Sequence, residues 1–256
     1  MTAEPLTGRT VLVTGASRGI GAEATRTLGE RGATVVAHYG SFRYGVDEAV
    51  AGIAPERRTI IALDMSESGA ARRLWSEAIR ARSRIDVVVV NAATMPTTAF
   101  EGSDEDWDDG WQQALQVNVL EPANLIREAV AHFLEHGGGT VITLSSWAAQ
   151  RGSAISSLAA YAASKAAVAN LTQTVARNHA RDGILAHVVA PGIVHTRLSE
   201  ASAAARGGIE GINAALAMGE MVPPREVAEL IAFLATGTCR HLTGATIDLN
   251  GASNIR

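Results

Sequence analysis

The sequence is short of several features, and each shortage excludes a class of protein. Its single cysteine, Cys239, excludes an internal disulfide and a cysteine-based zinc site. No apolar run approaches the roughly 18 residues that a membrane-spanning helix needs. Residues 1–6 lack the basic stretch and apolar segment of a signal peptide. These absences predict a soluble, cytoplasmic protein with no membrane association.

The sequence also lacks a net positive charge, a cluster of histidines and more than one lysine. The formal net charge is −4, which gives no indication of nucleic-acid binding. The 7 histidines are scattered, so no metal site is predicted. Among the 22 lysine and arginine residues there is one lysine, Lys165. Because lysine offers a compact ammonium and arginine a wide planar fork, this position indicates a requirement that arginine does not meet.

Short apolar, β-branched runs alternate with longer amphipathic runs along the 256 residues. The short runs carry almost no charge, which is typical of strands buried on both faces. The alternation predicts an α/β fold of the Rossmann type: a doubly wound sheet of about seven parallel strands, with helices on both faces, in a single domain. The predicted strands are Thr10–Thr14, Thr34–His38, Thr59–Leu63, Val87–Asn91, Thr140–Leu144, Leu185–Val189 and Thr246–Leu249. The predicted helices are Ile20–Arg31, Val46–Ile53, Glu67–Arg80, Glu105–His136, Ala160–Arg181 and Arg225–Leu234.

A glycine-rich turn follows the first predicted strand. Residues 14–21 read Thr-Gly-Ala-Ser-Arg-Gly-Ile-Gly, and a predicted helix begins within them. Glycines let the backbone approach a pyrophosphate, and the helix N-terminus supplies N–H donors and partial positive charge. The order of strand, glycine turn, helix and strand therefore predicts a dinucleotide site.

The end of the second predicted strand indicates which dinucleotide binds. NAD-binding proteins usually carry an acidic residue there, which bonds the ribose 2′-hydroxyl. Here Tyr39, Gly40 and Ser41 follow, with no carboxylate before Asp47. Arg18, inside the glycine turn, is instead available to pair with a 2′-phosphate. We therefore expect NADP(H) to be favoured over NAD(H).

With this turn, and with Tyr161 followed four residues later by Lys165, the chain resembles the short-chain dehydrogenase/reductase family. It is most similar in pattern to NADP(H)-preferring members such as the 3-oxoacyl-carrier-protein reductases. The resemblance covers nearly the whole chain, from about residue 8 to residue 251. Further landmarks follow in the family's order: Asp64-Met65, Asn91-Ala92, Asn118, Ser145-Ser146, Pro191-Gly192-Ile193 with Thr196, and Thr243-Gly244.

The resemblance implies hydride transfer between a nicotinamide and a carbonyl carbon. Tyr161 would be the general acid/base, and Lys165 would favour its phenolate and bond the nicotinamide ribose. Ser146 would bond the substrate oxygen, and Asn118 would hold a water that connects the lysine to solvent. The implied cofactor contacts are Gly15, Ser17, Arg18, Gly19, Ile20, Gly21, Tyr39, Ser41, Asp64, Met65, Asn91, Ala92, Tyr161, Lys165, Pro191, Gly192, Ile193 and Thr196.

Two departures from the family pattern bear on the site. Ala93 stands where the family has glycine, which adds a methyl group near the adenine ribose. The separation of Ser146 from Tyr161 exceeds the family's usual gap, so we place a short extension in the loop 147–158. We assign Ser146 because a residue directly after a strand is held more firmly than one in a loop. The less favoured alternatives are Ser153, Ser156 and Ser157.

Substrate selection is expected in three segments, 94–100, 147–158 and 196–221. The last is rich in alanine and glycine and is interpreted as a flap. The predicted partner is a small carbonyl or alcohol. Because family members are commonly tetramers paired through their long helices, a homo-oligomer is also expected, as a tetramer or dimer.

Several activities share this set of residues. The leading interpretation is an NADP(H)-dependent ketone reductase or secondary-alcohol dehydrogenase. The alternatives are an NAD-linked sugar, polyol or steroid dehydrogenase and a 3-oxoacyl-carrier-protein reductase. A carrier protein is acidic and needs a basic docking face, and residues 129–139 contain no lysine or arginine, which weakens that alternative. An enoyl reductase would space the tyrosine and lysine more widely. A non-enzymatic nucleotide-binding regulator would be expected to have lost part of the catalytic set, which is complete here.

Overall fold

Seven parallel strands form one sheet in the computed structural model, which describes residues 5–197, 199 and 208–255. The sheet order is β3-β2-β1-β4-β5-β6-β7, which reverses direction between β1 and β4. In open parallel sheets, ligands bind at such a reversal, outside the carboxyl ends of the strands. The predicted parallel sheet is confirmed. Its strands are β1 (Thr10–Val13), β2 (Thr34–Tyr39), β3 (Arg58–Ala62), β4 (Val87–Val90), β5 (Gly139–Leu144), β6 (Ile184–Pro191) and β7 (Thr246–Leu249).

The helices lie between these strands, as the alternating pattern predicts. A short helix also occupies part of the loop 147–158, and another lies in the described part of the predicted flap. No helix among the described residues is long and apolar enough to cross a membrane. The helices are α1 (Gly19–Glu30), α2 (Arg43–Ala49), α3 (Ala70–Arg82), α4 (Asp104–Leu115), α5 (Glu121–Glu135), α6 (Ala148–Arg151), α7 (Ala159–His179), α8 (Gly208–Ala214) and α9 (Pro224–Ala235).

Both faces of the sheet are covered by helices. Val11 and Val13 of β1 pack in one apolar core, to which α1, α2 and α9 contribute. Leu12, between them, packs in a second core with residues of α3, α5 and α7. Successive side chains of a strand point to opposite faces, so strands buried on both sides have no polar alternation. The doubly wound architecture is therefore confirmed.

The predicted continuous helix Glu105–His136 is wrong in one respect, because a π-helical turn interrupts it at Gln116–Leu120. There the Glu121 amide donates to the Gln116 carbonyl, five residues earlier. Pro122 supplies the physical reason. It has no N–H to donate to the carbonyl of Asn118, where an α-helix would form that bond. The interruption is centred on Asn118, which is a predicted catalytic residue.

A buried carboxylate connects this interruption to α3. Glu121 is 1% exposed, and its carboxylate accepts from Gly69 N at 2.9 Å and from Ala71 N at 2.7 Å. It also accepts from Gln116 Nε2 at 3.0 Å. The two amides belong to the first turn of α3, where N–H groups have no partner within the helix. Negative charge at that end also matches the helix dipole.

Glu121→Ala is expected to lower the free energy of unfolding by about 3 kcal/mol, because it leaves buried N–H donors without an acceptor. Urea denaturation followed by circular dichroism measures this change. Glu135→Ala, an exposed change on the same helix, is the control and is expected to alter stability by less than about 0.5 kcal/mol. Equal effects from the two variants would contradict the capping role of Glu121.

The predicted flap 196–221 is described in part, because residues 198 and 200–207 lie outside the described residues. In the described part, Ile212 of α8 is 2% exposed and packs with Met221. Ile193, after β6, packs against the same pair. The second half of the segment is therefore attached to the loop that follows β6.

Candidate active site

The glycine turn is held closely against the end of β4. Asn91 Nδ2 donates to the Thr14 carbonyl at 2.8 Å and to the Gly15 carbonyl at 3.3 Å. Gly15 has φ +70°, a conformation that glycine adopts without strain. A Cβ on Gly21 would lie 2.1 Å from the Gly15 carbonyl oxygen. The turn therefore requires glycine at both positions, and it brings Asn91 into contact with them.

Thr14 and Thr196 complete the surroundings of the turn. Thr14 Oγ1 accepts from the amides of Asn91 and Ala92, at 2.9 and 3.0 Å. On the other side, Thr196 Cγ2 would lie 2.9 Å from a Cβ on Gly19. The structure thus brings the predicted residues of the first, fourth and sixth strand ends together around one turn.

His38, which was not predicted from the sequence, also contacts the turn. Its imidazole is 1% exposed, accepts from Gly15 N at 3.2 Å and reaches the Leu63 carbonyl at 2.9 Å. Within an apolar strand it reads as an ordinary buried residue. The sequence signal that could have identified it is its place as the penultimate residue of β2, beside the end of β1.

Arg18 stacks on an aromatic ring at the mouth of the turn. Its guanidinium carbon lies 4.3 Å from the centroid of Phe42. Among the described residues no carboxylate pairs with it. Arg43, the other nearby arginine, is bound to Asp47 at 2.9 Å and lies 5.8 Å from the ring of Tyr39. Arg18 is thus the cation more available to an anionic group beside the turn.

The predicted cofactor residues at the ends of β2 and β3 differ in exposure. Tyr39 is 9% exposed, and Ser41 is exposed. Asp64 is exposed and accepts from the Ser66 amide at 2.8 Å, which holds the pKa of the carboxyl below its usual value. Met65 is 8% exposed and packs in the core. Its side chain therefore has a packing role, and its backbone is the part left for a cofactor contact.

The phenol of Tyr161 lies beside the hydroxyl of Ser146. Burial raises the pKa of Tyr161 above its usual value of 10.0, and the hydrogen bond with Ser146 acts in the opposite direction. Ser146, 7% exposed, accepts the Ala148 amide at 3.2 Å through its Oγ, so its own proton can be donated. The structure brings the predicted serine and tyrosine together, and the phenol keeps its proton at neutral pH.

Lys165 lies one helical turn after Tyr161 and is 5% exposed. Its Nζ donates to the Leu144 carbonyl at 2.8 Å and lies 5.9 Å from the Tyr161 ring centroid. Ser145 Oγ donates to the Lys165 carbonyl at 2.9 Å, which fastens α7 to the end of β5. Burial lowers the pKa of Lys165 to about 8. The ammonium is still mostly protonated at pH 7.

Asn118 is buried behind this pair. Its Oδ1 accepts from Thr94 N at 2.8 Å, and its Nδ2 donates to the Thr94 carbonyl at 2.9 Å. Nδ2 also donates to Ser164 Oγ at 3.0 Å, and Ser164 donates to the Tyr161 carbonyl at 2.7 Å. The amide therefore positions the loop after β4 and the helix of the tyrosine. Ser164 was not predicted, although it is fully buried.

A cavity of about 150 Å³ opens beside Ser146 and Tyr161, whereas Lys165 and Asn118 do not line it. Thr98 connects two of the predicted substrate segments next to it, since its amide donates to the Ser157 carbonyl at 2.7 Å. A larger, open cleft of about 650 Å³ lies between residues 96–102 and α4, and no predicted catalytic residue lines it. Residues that line the smaller cavity include Met95, Ser146, Trp147, Tyr161, Ile193 and Thr196.

Comparisons with known proteins agree with this geometry. Residues 15–252 match the family model described as "Enoyl-(Acyl carrier protein) reductase". The chain is 32% identical to 3beta-hydroxysteroid dehydrogenase 1 of Eggerthella lenta, over 98% of this chain and 96% of that protein. It is also 32% identical to cis-4-hydroxycyclohexanecarboxylate dehydrogenase of Sinomonas cyclohexanicum, over 97% of both.

A solved structure gives the same result. The chain superposes with a TM-score of 0.86 on the 3-oxoacyl (acyl-carrier-protein) reductase from Agrobacterium tumefaciens C58 with NADP bound. The two share 32% sequence identity, and the match covers 98% of this chain and 96% of that one. The range matched by the family model, residues 15–252, spans the glycine turn and the tyrosine–lysine pair. The chain belongs to the short-chain dehydrogenase/reductase family of oxidoreductases.

Proposed function

We propose that the protein interconverts a ketone and a secondary alcohol by hydride transfer with NADP(H), and that Tyr161 is the general acid/base. One observation carries the proposal: Tyr161 and Ser146 line one cavity at the carboxyl ends of the strands, and the buried Lys165 ammonium lies 5.9 Å from the centre of the phenol ring. The residues present fit the dinucleotide, because a Cβ at Gly21 would fill the turn. When bound, the nicotinamide supplies or accepts the hydride.

The protein's own groups handle the substrate oxygen and its proton. In reduction, Ser146 and Tyr161 donate hydrogen bonds to the carbonyl oxygen, and the phenol proton passes to that oxygen as negative charge develops. The raised pKa of Tyr161 suits this direction, because the phenol is protonated at neutral pH. Lys165 places positive charge near the phenolate that results and can bond the ribose hydroxyls through its remaining N–H donors.

A spectrophotometric screen tests the activity. NADPH is mixed with cyclic, steroidal, sugar-derived and acyl-thioester ketones, and NADP⁺ with the matching alcohols. Cyclic ketones come first, because two of the relatives are named for cyclic alcohols. We expect NADPH consumption with at least one ketone class. A purified protein that binds NADPH yet turns over no member of the panel, in either direction, would count against the proposal.

The preference for NADP(H) is proposed on the position of Arg18. The guanidinium is held by stacking on Phe42 at the mouth of the turn, and a cation–π contact of this kind limits its orientations. A charged hydrogen bond to the 2′-phosphate is then available to NADPH and not to NADH. The NADP bound to the Agrobacterium relative supports the same preference.

Arg18→Ala is expected to weaken NADPH binding by at least about 10-fold and NADH binding by less than about 2-fold, because one charge-assisted contact is lost. Fluorescence titration of both cofactors measures the two dissociation constants. Arg43→Ala is the matched control, since that guanidinium is already paired with Asp47. Equal losses for NADPH and NADH in the Arg18 variant would exclude a 2′-phosphate contact.

A homo-oligomer, as a dimer or tetramer, and a cytoplasmic location belong to the same proposal. Exposed apolar side chains on the α4–α5 segment support the oligomer, including Leu115 at 41% and Leu120 at 53% exposure. Ala163 and Ala167 are exposed on α7 and allow close approach of a second helix.

A further inference from the structure

His38 lies where three strand ends meet, and it holds two consecutive amides of the glycine turn. Its Nδ1 lies 3.2 Å from Gly15 N, and its Nε2 lies 2.9 Å from the Leu63 carbonyl oxygen. Its own carbonyl accepts from Ala16 N at 2.8 Å. One residue at the end of β2 therefore connects the turn after β1 to the end of β3.

The partners of the imidazole determine its protonation state. A backbone N–H can only donate and a backbone carbonyl can only accept. Nδ1 must therefore be the acceptor for Gly15, and Nε2 must carry the hydrogen that bonds Leu63. A second proton, on Nδ1, would point a donor at the Gly15 N–H. At 1% exposure, the side chain has little access to water that could replace the lost bond.

The surroundings of His38 favour the neutral form. Burial is the largest effect and lowers its pKa below the usual 6.5, while the hydrogen bond to Leu63 and the charge of Asp64 raise it. Asp64, at the end of β3, is the charged group that acts on the imidazole, and the β1 end presents neutral Thr14, Gly15 and Ala16. Since the folded pKa is lowered, the bond to Gly15 is complete above about pH 6.5 and is lost as pH falls through the folded pKa.

We propose that His38 is a positioning residue for the cofactor: its neutral imidazole fixes the glycine turn in the conformation that binds the pyrophosphate, and protonation of the imidazole weakens cofactor binding. The inference rests on the proposed cofactor role of that turn. It adds a residue that makes no contact with the reacting atoms and acts through Gly15.

Two substitutions at position 38 each keep one of the two hydrogen bonds of the imidazole and remove the other. The side-chain oxygen of asparagine can occupy the place of Nδ1, so His38→Asn keeps an acceptor for Gly15 and loses the donor to Leu63. The side-chain nitrogen of glutamine can occupy the place of Nε2, so His38→Gln keeps that donor and loses the acceptor. Calorimetric titration with NADP⁺ at pH 7.5 is expected to give a dissociation constant within about 2-fold of wild type for the asparagine variant. We expect a value about 5- to 10-fold weaker for the glutamine variant.

The pH dependence provides a second readout. As pH is lowered from 7.5 through the folded pKa of His38, wild-type affinity for NADP⁺ is expected to fall at least about 3-fold more than that of His38→Asn, which has no imidazole to protonate. Protonation of the 2′-phosphate occurs in the same range and affects both proteins, so the difference between them isolates the histidine.

His187→Asn is the matched control. His187 is also a strand histidine at 1% exposure with a lowered pKa, but its Nδ1 lies 3.1 Å from the Leu242 carbonyl, away from the turn. We expect no change in NADP⁺ affinity. Equal weakening by asparagine and glutamine at position 38 would indicate a packing role, and parallel pH curves would exclude the titration; either result overturns the inference. A wild-type protein that binds neither NADP⁺ nor NAD⁺ would overturn the proposed function first.

Discussion

Tyr161→Phe is expected to lower kcat for ketone reduction at least about 100-fold, because the substrate oxygen loses its proton donor. The ring remains, and so does the packing of α7 against the end of β5, so the dissociation constant for NADPH should change by less than about 2-fold. The size of the effect reflects the chemistry: the developing alkoxide is too basic to persist unprotonated. Steady-state kinetics at saturating NADPH measures kcat, and fluorescence titration measures cofactor binding.

Tyr44→Phe is the control for this variant. Tyr44 is 65% exposed, so loss of its hydroxyl should leave kcat unchanged. A Tyr161→Phe enzyme with kcat within about 3-fold of wild type would show that another group donates the proton, and Ser146 would then be the nearest alternative. A large loss of NADPH affinity in the same variant would instead indicate a structural role for the phenol.

Lys165→Arg is expected to lower kcat/KM by about 100-fold, although it conserves the charge. The ammonium occupies a buried space between the Leu144 carbonyl and the Tyr161 ring. A guanidinium is wider and planar, so it cannot enter without displacing one of these groups. NADPH affinity should fall as well, because the N–H donors that we propose bond the nicotinamide ribose are moved.

The pH profile distinguishes a charge requirement from simple crowding in this variant. Burial lowers the pKa of Lys165 to about 8, so activity that needs the ammonium falls as pH rises through that value. Arginine keeps its charge at every accessible pH. Residual activity of Lys165→Arg should therefore lack the alkaline decline of wild type. Arg177→Lys, at an exposed position on the same helix, is the control and should leave both rate and profile unchanged.

The sheet was predictable because burial on both faces gives an unmistakable pattern of uncharged, β-branched runs. The carboxyl ends of those runs then carry the site residues, and their order in the chain predicts which ends lie together. The Ser146 assignment followed from the same logic. In the structure Ser146 and Tyr161 line the same cavity, and so does Ser153, one of the loop serines.

Features that depend on single contacts were not predictable in this way. The helical pattern continues through residues 105–136, and only the missing N–H of Pro122 indicates the π-turn at Asn118. His38 occurs in an apolar run, and the sequence does not show which groups its imidazole bonds. Met65 is a predicted cofactor contact beside Asp64, yet its side chain packs in the core with residues of α3. Helix and strand propensities and hydrophobic periodicity do not show which single group such a residue contacts.

The singular lysine has a practical consequence for chemical labelling. Amine-selective acylating reagents find one side-chain amine in this sequence, and that lysine is 5% exposed, with its Nζ bonded to the Leu144 carbonyl beside the ring of Tyr161. Its lowered pKa gives a larger share of the nucleophilic free amine near pH 8 than a surface lysine would have. The fraction of the Lys165 peptide that becomes acylated thus reports how often the space between Leu144 and Tyr161 opens to solvent, with no background from other lysine side chains.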